Sequence, residues 1–264
     1  MDYQRAPELT ESRIVWLDRK GRELEVLDEG RSHADVSLAP DSRRALVSAR
    51  DATTGTLELW LYDLARAGVR TRLRTGSDPK DRSTSPAWSP DGRVAFIASQ
   101  QAGYSRTIET AMTGDATETV LMEGPDILRP TSWSPNGRFL LLEKAASWKT
   151  PTPIGGLSDL WVLPLTGELQ PVPFLESPAR ERNGQFSPDG RFVAFQSNES
   201  GDWEVYVMPF PGPGPKVPVS AGGGRAPRWG PAGQEIFYLD FDNVLSAASV
   251  TVEGDRLEVG AVRA

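Results

Sequence analysis

SPDGRFVAFQS, residues 187–197, combines a tight turn with an apolar strand. In the turn, Pro188 presets φ, the Asp189 side chain bonds to nearby backbone, and Gly190 takes the positive φ that a hairpin turn requires. The residues that follow are mostly apolar, as in a strand buried on both faces of a sheet. This stretch therefore predicts a turn that leads into a core strand.

Four further segments repeat the same turn and strand. Their prolines follow one another at intervals of 43 to 53 residues, and each is preceded by one bulky residue. A period of about 40 to 50 residues in strand-rich units is typical of the blades of a β-propeller and not of a helical solenoid. The turn prolines are Pro40, Pro90, Pro135, Pro188 and Pro231, and the bulky residues before them are Leu38, Trp88, Trp133, Phe186 and Trp229.

The N-terminal region matches only the outer half of a repeat. Residues 13–18 and 23–27 predict two short strands with no Pro-Asp-Gly turn ahead of them. We therefore predict an all-β, six-bladed β-propeller with five fuller blades and an incomplete sixth made of N-terminal outer strands. We expect residues 1–11 to be a flexible tail and 12–264 to be one domain, truncated at the C-terminus because the missing inner strands would have to follow Ala264. The predicted blades lie near 12–33, 34–83, 84–129, 130–182, 183–225 and 226–264.

Composition excludes several classes of function. The net charge of −7 disfavours a nucleic-acid partner. The sequence has no run of about 18 apolar residues, so we predict no membrane insertion by this chain itself. The 264 residues contain no cysteine and one histidine, which excludes thiol nucleophiles and metal sites with two imidazoles. No Gly-x-Ser-x-Gly elbow is present. We predict no catalytic residue, no metal site and no cofactor.

Two short motifs have a simple structural explanation. Residues 240–243, DFDN, place two carboxylates close together, as calcium loops do, but a hairpin turn explains them more simply. Residues 222–224, GGG, lack the lysine and the following helix of a phosphate-binding loop. Neither motif is predicted to bind a ligand.

Longer strings carry a family resemblance: residues 15–23 (VWLDRKGRE), the Ser-Pro-Asp-Gly turns, and 197–201 (SNESG) leading into 204–214 (EVYVMPFPGPG). With these, residues 12–264 resemble the TolB-like, WD-repeat-like propellers, most of all those at the C-terminal end of bacterial eukaryotic-type serine/threonine protein kinases. The resemblance implies a sensor on the far side of a membrane helix from the kinase domain, and so an extracytoplasmic or periplasmic location. The kinase motifs themselves are not among these residues, so kinase activity is not assigned to them.

The predicted function is therefore a non-catalytic propeller that binds a ligand or a protein, as the sensor part of such a kinase or as a TolB-like envelope protein. The alternative is a propeller-type hydrolase or lyase, or the propeller part of a prolyl-peptidase-like enzyme. Paired carboxylates at the mouth of the channel would favour an enzyme, whereas arginines and aromatic residues would favour binding.

One regularity indicates where a ligand would bind. Arginines stand four residues before the bulky residue in three successive repeats, as Arg129, Arg182 and Arg225. Because the loops that lead into the inner strands surround one mouth of a propeller channel, we predict that these side chains converge there, with His33 and Glu181 nearby. Guanidinium groups suit a carboxylate or phosphate, so the predicted partner is a protein or a small anionic ligand. The simpler alternative is pairing of the arginines with acidic neighbours such as Glu181.

Overall fold

The fold is a six-bladed β-propeller in which one blade has two described strands and the other five have four. The computed structural model describes residues 11–66, 69–73, 82–101, 104–112, 117–145 and 158–264, which form 22 strands in six antiparallel sheets. Five sheets have four strands and the sixth has two, which confirms the predicted architecture. The predicted tail, residues 1–11, lies outside the described residues except for Glu11. The described residues hold no helix of the length and apolarity that crossing a lipid bilayer requires.

Each blade takes its strands in chain order from the channel outward. We call the two-stranded sheet the half-blade and number the others blades 2 to 6. The inner strands begin one to three residues before the predicted blade starts. The half-blade contains β1 (Ser12–Leu17) and β2 (Glu23–Arg31); blade 2 contains β3 (His33–Leu38), β4 (Arg44–Arg50), β5 (Leu57–Asp63) and β6 (Arg70–Arg72); blade 3 contains β7 (Arg82–Trp88), β8 (Arg93–Gln101), β9 (Tyr104–Ala111) and β10 (Glu118–Gly124); blade 4 contains β11 (Ile127–Trp133), β12 (Phe139–Ala145), β13 (Ser158–Pro164) and β14 (Val172–Leu175); blade 5 contains β15 (Glu181–Phe186), β16 (Phe192–Ser197), β17 (Glu204–Pro209) and β18 (Val217–Pro218); blade 6 contains β19 (Arg225–Trp229), β20 (Glu235–Leu239), β21 (Leu245–Glu253) and β22 (Arg256–Arg263).

The repeated turn joins the inner strand to the second strand of each of blades 2 to 6. In blade 5, the Gly190 N–H donates to the Ser187 carbonyl at 2.9 Å, and the Ser187 N–H donates to the Phe192 carbonyl at 2.9 Å. Gly190 has φ of 73°, and Ser42 takes the same role in blade 2 with φ of 55°. Equivalent bonds close the other four turns, so the local chemistry of the motif produces the same corner five times.

Successive corners stack on one face of the molecule. A Cβ added to Gly190 would lie 3.2 Å from Pro135 of the preceding corner, and one added to Gly233 would lie 3.6 Å from Pro188. We call this side the corner face and the opposite side, where the inner strands begin, the loop face. The predicted arginines stand at the starts of inner strands, which places them at the loop face.

The bulky residue before the corner packs between blades in blades 3 to 6. The indole N–H groups of Trp88, Trp133 and Trp229 each donate to a carbonyl on the inner strand of the preceding blade, at 3.1 to 3.2 Å. Trp133 is only 6% exposed, whereas Leu38, at the same position of the repeat, is 50% exposed. The difference arises because the blade before Leu38 is the half-blade, which has no described inner strand to cover it.

The half-blade contacts its two neighbours unequally. On one side Ile14 packs against the apolar residues of blade 2. On the other side, Arg19 donates two hydrogen bonds to Glu235 of blade 6, at 3.1 and 3.2 Å. Beside this ion pair lies a cavity of about 1280 Å³, lined in part by Trp229 and Pro231.

Candidate functional site

Polar side chains join neighbouring blades around the loop face. Inner strands carry bulges, and in three of them the bulged residue has a positive φ of 51° to 54°. The bulge turns a backbone N–H out of its own ladder, so that it donates to the preceding blade. The bonds run from Ser85 N–H to Asp35 Oδ2 (3.0 Å), from Asn183 N–H to Glu143 Oε2 (3.4 Å) and from Ala226 N–H to Gln196 Oε1 (2.8 Å).

Two of the predicted arginines meet at the second of these acceptors. Oε1 of Glu143 lies 3.3 Å from Nη1 of Arg129 and 3.8 Å from Nε of Arg182. The Glu143 side chain is 8% exposed, while the two arginine side chains are 38% and 40% exposed. Two guanidinium groups therefore share one carboxylate, and the cluster keeps one positive charge in contact with solvent.

The Arg182 side chain is held by two further contacts. Its Nε donates to Oγ of Ser158 at 3.0 Å, and its guanidinium carbon lies 5.7 Å from the centre of the Trp203 ring. Cation–π contact and hydrogen bonding together fix a guanidinium that would otherwise move freely. We call Arg129, Glu143, Arg182 and Trp203 the arginine pair site.

Arg225 has different partners although it has the same place in the repeat. Its Nη2 donates to the Asp240 carbonyl at 3.1 Å and to Asn243 Oδ1 at 2.9 Å. Both acceptors belong to the turn at 240–243 of its own blade. In that turn, Asp240 Oδ1 accepts the N–H groups of Asp242 and Val244, as a hairpin turn requires. Arg225 therefore braces a turn of blade 6 and does not contact Glu143.

His33 lies between the half-blade and blade 2. Its Nε2 is 3.1 Å from Asp28 Oδ2, its Nδ1 is 3.0 Å from Ser12 Oγ, and both His33 and Asp28 are buried side chains. Asp28 also accepts hydrogen bonds from Tyr62 and, at 2.6 Å, from Arg70. Burial opposes ionisation of Asp28, but the hydrogen bonds from Tyr62 and His33 and the charge of Arg70 hold its pKa below the ordinary value. Burial, together with Asp28, raises the pKa of Tyr62 to about 12.

The order Ser12, His33, Asp28 is that of a serine hydrolase triad, but the surroundings of the hydroxyl are structural. Ser12 Oγ accepts the His33 backbone N–H at 3.1 Å and donates to the Arg31 carbonyl at 3.3 Å. The hydroxyl therefore joins the start of β1 to the connection between β2 and β3. This cluster, which we call the Asp28 network, fastens the half-blade to blade 2.

Glu181 is completely buried at the start of β15. Its Oε1 accepts from Ser177 Oγ at 2.7 Å and from Ser197 Oγ at 3.3 Å, whereas Oε2 has no hydrogen-bond partner in the described part of the chain. Burial raises the pKa of Glu181. Within the described ranges, no three histidine or acidic side chains are grouped so that they could hold a metal ion.

The glycine-rich stretch 222–224 does bind a carboxylate, but one from the same chain. The N–H groups of Gly222 and Gly223 donate to Glu204 Oε1 at 2.8 and 2.9 Å. Consecutive backbone amides of this kind form a small anion-binding concavity. Glu204 fills it and so fixes the loop that leads into β19.

Of the five predicted site residues, the structure brings together Arg129 and Arg182. Glu181, suggested as an arginine partner, instead bonds to two serines. Glu143 and Trp203 were not among the predicted residues. A signal for Glu143 was present, because it is the first charged residue after the apolar run 139–142 and takes the same place in its blade as Gln196 does in blade 5. Binding of a ligand here stays a prediction.

Comparison with known proteins shows the fold. No protein family model matches the chain. The chain is 24% identical over 216 residues to the uncharacterized peptidase YuxL of Bacillus subtilis (strain 168), a match that covers 67% of this chain and 32% of YuxL. The crystal structure of TolB from Acinetobacter baumannii superposes with a TM-score of 0.72 at 18% identity, covering 95% of this chain and 61% of that one. A protein assigned as TolB from Agrobacterium tumefaciens gives a TM-score of 0.70 at 17% identity, covering 94% and 87%.

These comparisons confirm a TolB-like propeller. At identities below 25% the structural likeness shows the fold alone, because one fold hosts many functions. The chain spans about a third of the length of YuxL and about three fifths of the Acinetobacter TolB chain.

Proposed function

We propose that this chain is a non-catalytic binding module that holds an anionic group of its ligand at the arginine pair site. The observation that supports this is the sharing of Glu143 by Arg129 and Arg182, which leaves an excess positive charge on half-exposed guanidinium groups. Arginine binds carboxylates and phosphates through paired N–H groups, and such charge-assisted bonds are stronger than neutral ones. The contact with Trp203 holds Arg182 in position before a ligand arrives.

Binding accounts for the described carboxylates at the loop face better than catalysis does. Glu143 is 8% exposed and is already paired with two arginines, so it offers a substrate little access. Glu181 has no exposed surface, so a substrate cannot reach it. General acid and base groups need to lie within hydrogen-bond reach of the substrate, which neither residue offers.

The strings 15–23 and 204–214 support a context for this module. They favour a module that forms the sensor part of a bacterial serine/threonine kinase. The second possibility is a module that belongs to a TolB-like envelope protein. In either case the propeller would lie outside the cytoplasm. The test is the reading frame of the gene together with mass spectrometry of the native protein. A kinase domain and a membrane helix joined in frame would support the first context, and a propeller alone in an envelope operon would support the second.

A second candidate function follows from the similarity to YuxL, which covers 67% of this chain. In this alternative the chain is the propeller part of a larger peptidase whose catalytic residues lie on another domain. The full-length protein would then hydrolyse fluorogenic peptides. Absence of hydrolysis, measured alongside tight binding of anions to the propeller, would favour the binding module.

The anion-binding proposal is tested by thermal unfolding with citrate, phosphate and glucuronate. We expect each anion that binds to raise the melting temperature of the wild type by mass action, and added salt to weaken this effect. The variant with both Arg129→Ala and Arg182→Ala should lose the shift. Arg225→Ala is the matched control, because it removes an arginine from the same repeat position with different contacts. Equal shifts in all three proteins would show that the anions bind elsewhere.

A further inference from the structure

The turn of blade 6 at the loop face exposes an unusual amount of apolar surface. Phe241, Val244 and Leu245 are 45%, 43% and 51% exposed. Single exposed apolar residues are common, but here three of them lie within five residues at one hairpin, and a local concentration of exposed apolar surface often marks an interaction site. We call these three residues the turn patch.

The turn patch and the arginine pair site are connected across blades 5 and 6. Arg182 lies over the ring of Trp203, and the Trp203 carbonyl accepts the Gly224 N–H at 2.8 Å. The neighbouring Gly223 lies against the Phe241 ring, where a side chain would collide with it. Gly223 also has φ of 114°, a conformation that favours glycine. Gly223 and Gly224 are both buried, so the two features are joined by one closely packed loop.

We propose that the ligand is an extended peptide that presents one carboxylate to the arginine pair site and one aromatic or branched apolar side chain to the turn patch. This inference rests on the proposed function. A peptide supplies both groups in one ligand at a fixed spacing. Buried apolar anchors supply most of the affinity in such contacts, and charged groups select the partner and its orientation.

The charges at the loop face favour a single carboxylate over a polyanion. Asp242 is exposed on the turn that carries the patch, and Asp240 lies beside it. These two negative charges would repel additional carboxylates placed near Phe241. Arg225, which is bonded to the same turn, offsets one of these two charges, so the turn keeps a net charge of −1 while the arginine pair site has a net charge of +1. Complementarity therefore favours a peptide with the carboxylate at one end and the apolar group at the other.

The experiment measures binding of fluorescein-labelled, capped peptides by fluorescence polarisation. Each peptide carries one glutamate and one phenylalanine, separated by spacers of one to five glycine and serine residues. We expect one spacing to bind best and to lose about tenfold in affinity when its phenylalanine becomes alanine or its glutamate becomes glutamine. Phe241→Ala should cause a similar loss for that peptide and leave the citrate shift unchanged. Leu245→Ala is a second variant for the same surface, and Leu24→Ala, which removes an exposed leucine of the half-blade, is the control.

The outcomes separate this inference from the proposed function. If citrate stabilises the wild type but Phe241→Ala and Leu245→Ala bind every peptide as the wild type does, the peptide inference is wrong and the anion site stands. If hexaglutamate binds more tightly than the best glutamate–phenylalanine peptide, the ligand is a polyanion and the inference is also wrong. If neither citrate nor any peptide binds, the proposed function fails as well.

Discussion

The five interfaces from the half-blade through to blade 6 differ sharply from the interface that returns from blade 6 to the half-blade. Each of the five has its own apolar cluster, and those between blades 2 to 6 contain the largest buried side chains. The sixth is joined by the Arg19 and Glu235 ion pair beside a cavity of about 1280 Å³. We therefore expect the five packed interfaces to stabilise the propeller more than the interface between blade 6 and the half-blade does.

The burial of a residue in this propeller depends on the neighbouring blade as much as on the residue itself. Leu38 and Trp133 occupy the same place in the repeat and precede the same kind of corner. One is half exposed and the other is buried, because only Trp133 faces a complete inner strand. Four sets of substitutions test this difference between the interfaces.

The largest effect is expected for Trp133→Ala. The indole is buried between blades 3 and 4 and donates to the Ala87 carbonyl, so the variant leaves a cavity and an unpaired acceptor. The free energy of unfolding should fall by about 3 to 5 kcal/mol, measured by urea denaturation. Leu38→Ala, at the same repeat position, should cost no more than about 0.5 kcal/mol. Similar losses in the two variants would contradict the contrast between interfaces.

The next effect is expected for Asp28→Asn, which weakens the network between the half-blade and blade 2. Asp28 accepts charge-assisted hydrogen bonds from Arg70 and Tyr62, so we expect a loss of about 2 kcal/mol near neutral pH. The pKa of Asp28 is lowered in the folded protein. The ionised carboxylate therefore contributes its full stability above the ordinary pKa of 3.8, and this contribution is lost as the pH falls from 3.8 through the folded-state pKa. The variant should therefore approach the wild type in acid.

Unfolding followed from pH 2 to 8 checks this prediction. Asp242→Asn is the control, because Asp242 is exposed at a turn tip. A loss for Asp28→Asn that is the same at every pH would show that the carboxylate charge is not what fastens the half-blade.

The turns and blade order followed from sequence, whereas the side-chain partners of the arginines did not. Turn chemistry is local, so Pro188, Asp189 and Gly190 determine their corner without help from the rest of the chain. Arg182 is the second residue of β15 and Arg225 is the first residue of β19. Their partners depend on which acceptors the adjacent blade and turns present, and these arise from residues that are distant in sequence.

A smaller effect of opposite sign is expected for Glu181→Gln. Both oxygens of Asp28 have hydrogen-bond partners, whereas Oε2 of the buried Glu181 has none among the described atoms. Burial raises the pKa of Glu181. A raised pKa means that Glu181 supports the fold fully below its ordinary value of 4.5 and loses that support as the pH rises through the folded-state pKa. At pH 7 the neutral glutamine should therefore stabilise the protein by about 1 kcal/mol.

Thermal unfolding of wild type and Glu181→Gln from pH 4 to 8 measures this effect. The two proteins should have similar stability at pH 4, and the difference should grow as the pH rises. A variant that is less stable than the wild type at pH 7, as expected for Asp28→Asn, would show that the Glu181 carboxylate is stabilised in a way that its hydrogen bonds do not indicate.

The smallest effect is expected where the ring returns to the half-blade. The Arg19 side chain is 79% exposed, so water competes for both of its hydrogen bonds to Glu235 and salt screens the attraction. In a double-mutant cycle of Arg19→Ala and Glu235→Ala, the coupling energy should be at most about 0.5 kcal/mol and should fall further in 0.5 M salt. A coupling above about 1 kcal/mol that resists salt would mean that this interface stabilises the fold as the packed ones do. With the expected small coupling, loss of the ion pair should leave the loop face intact, and Arg19→Ala should bind citrate as the wild type does, because the arginine pair site lies on blades 4 and 5.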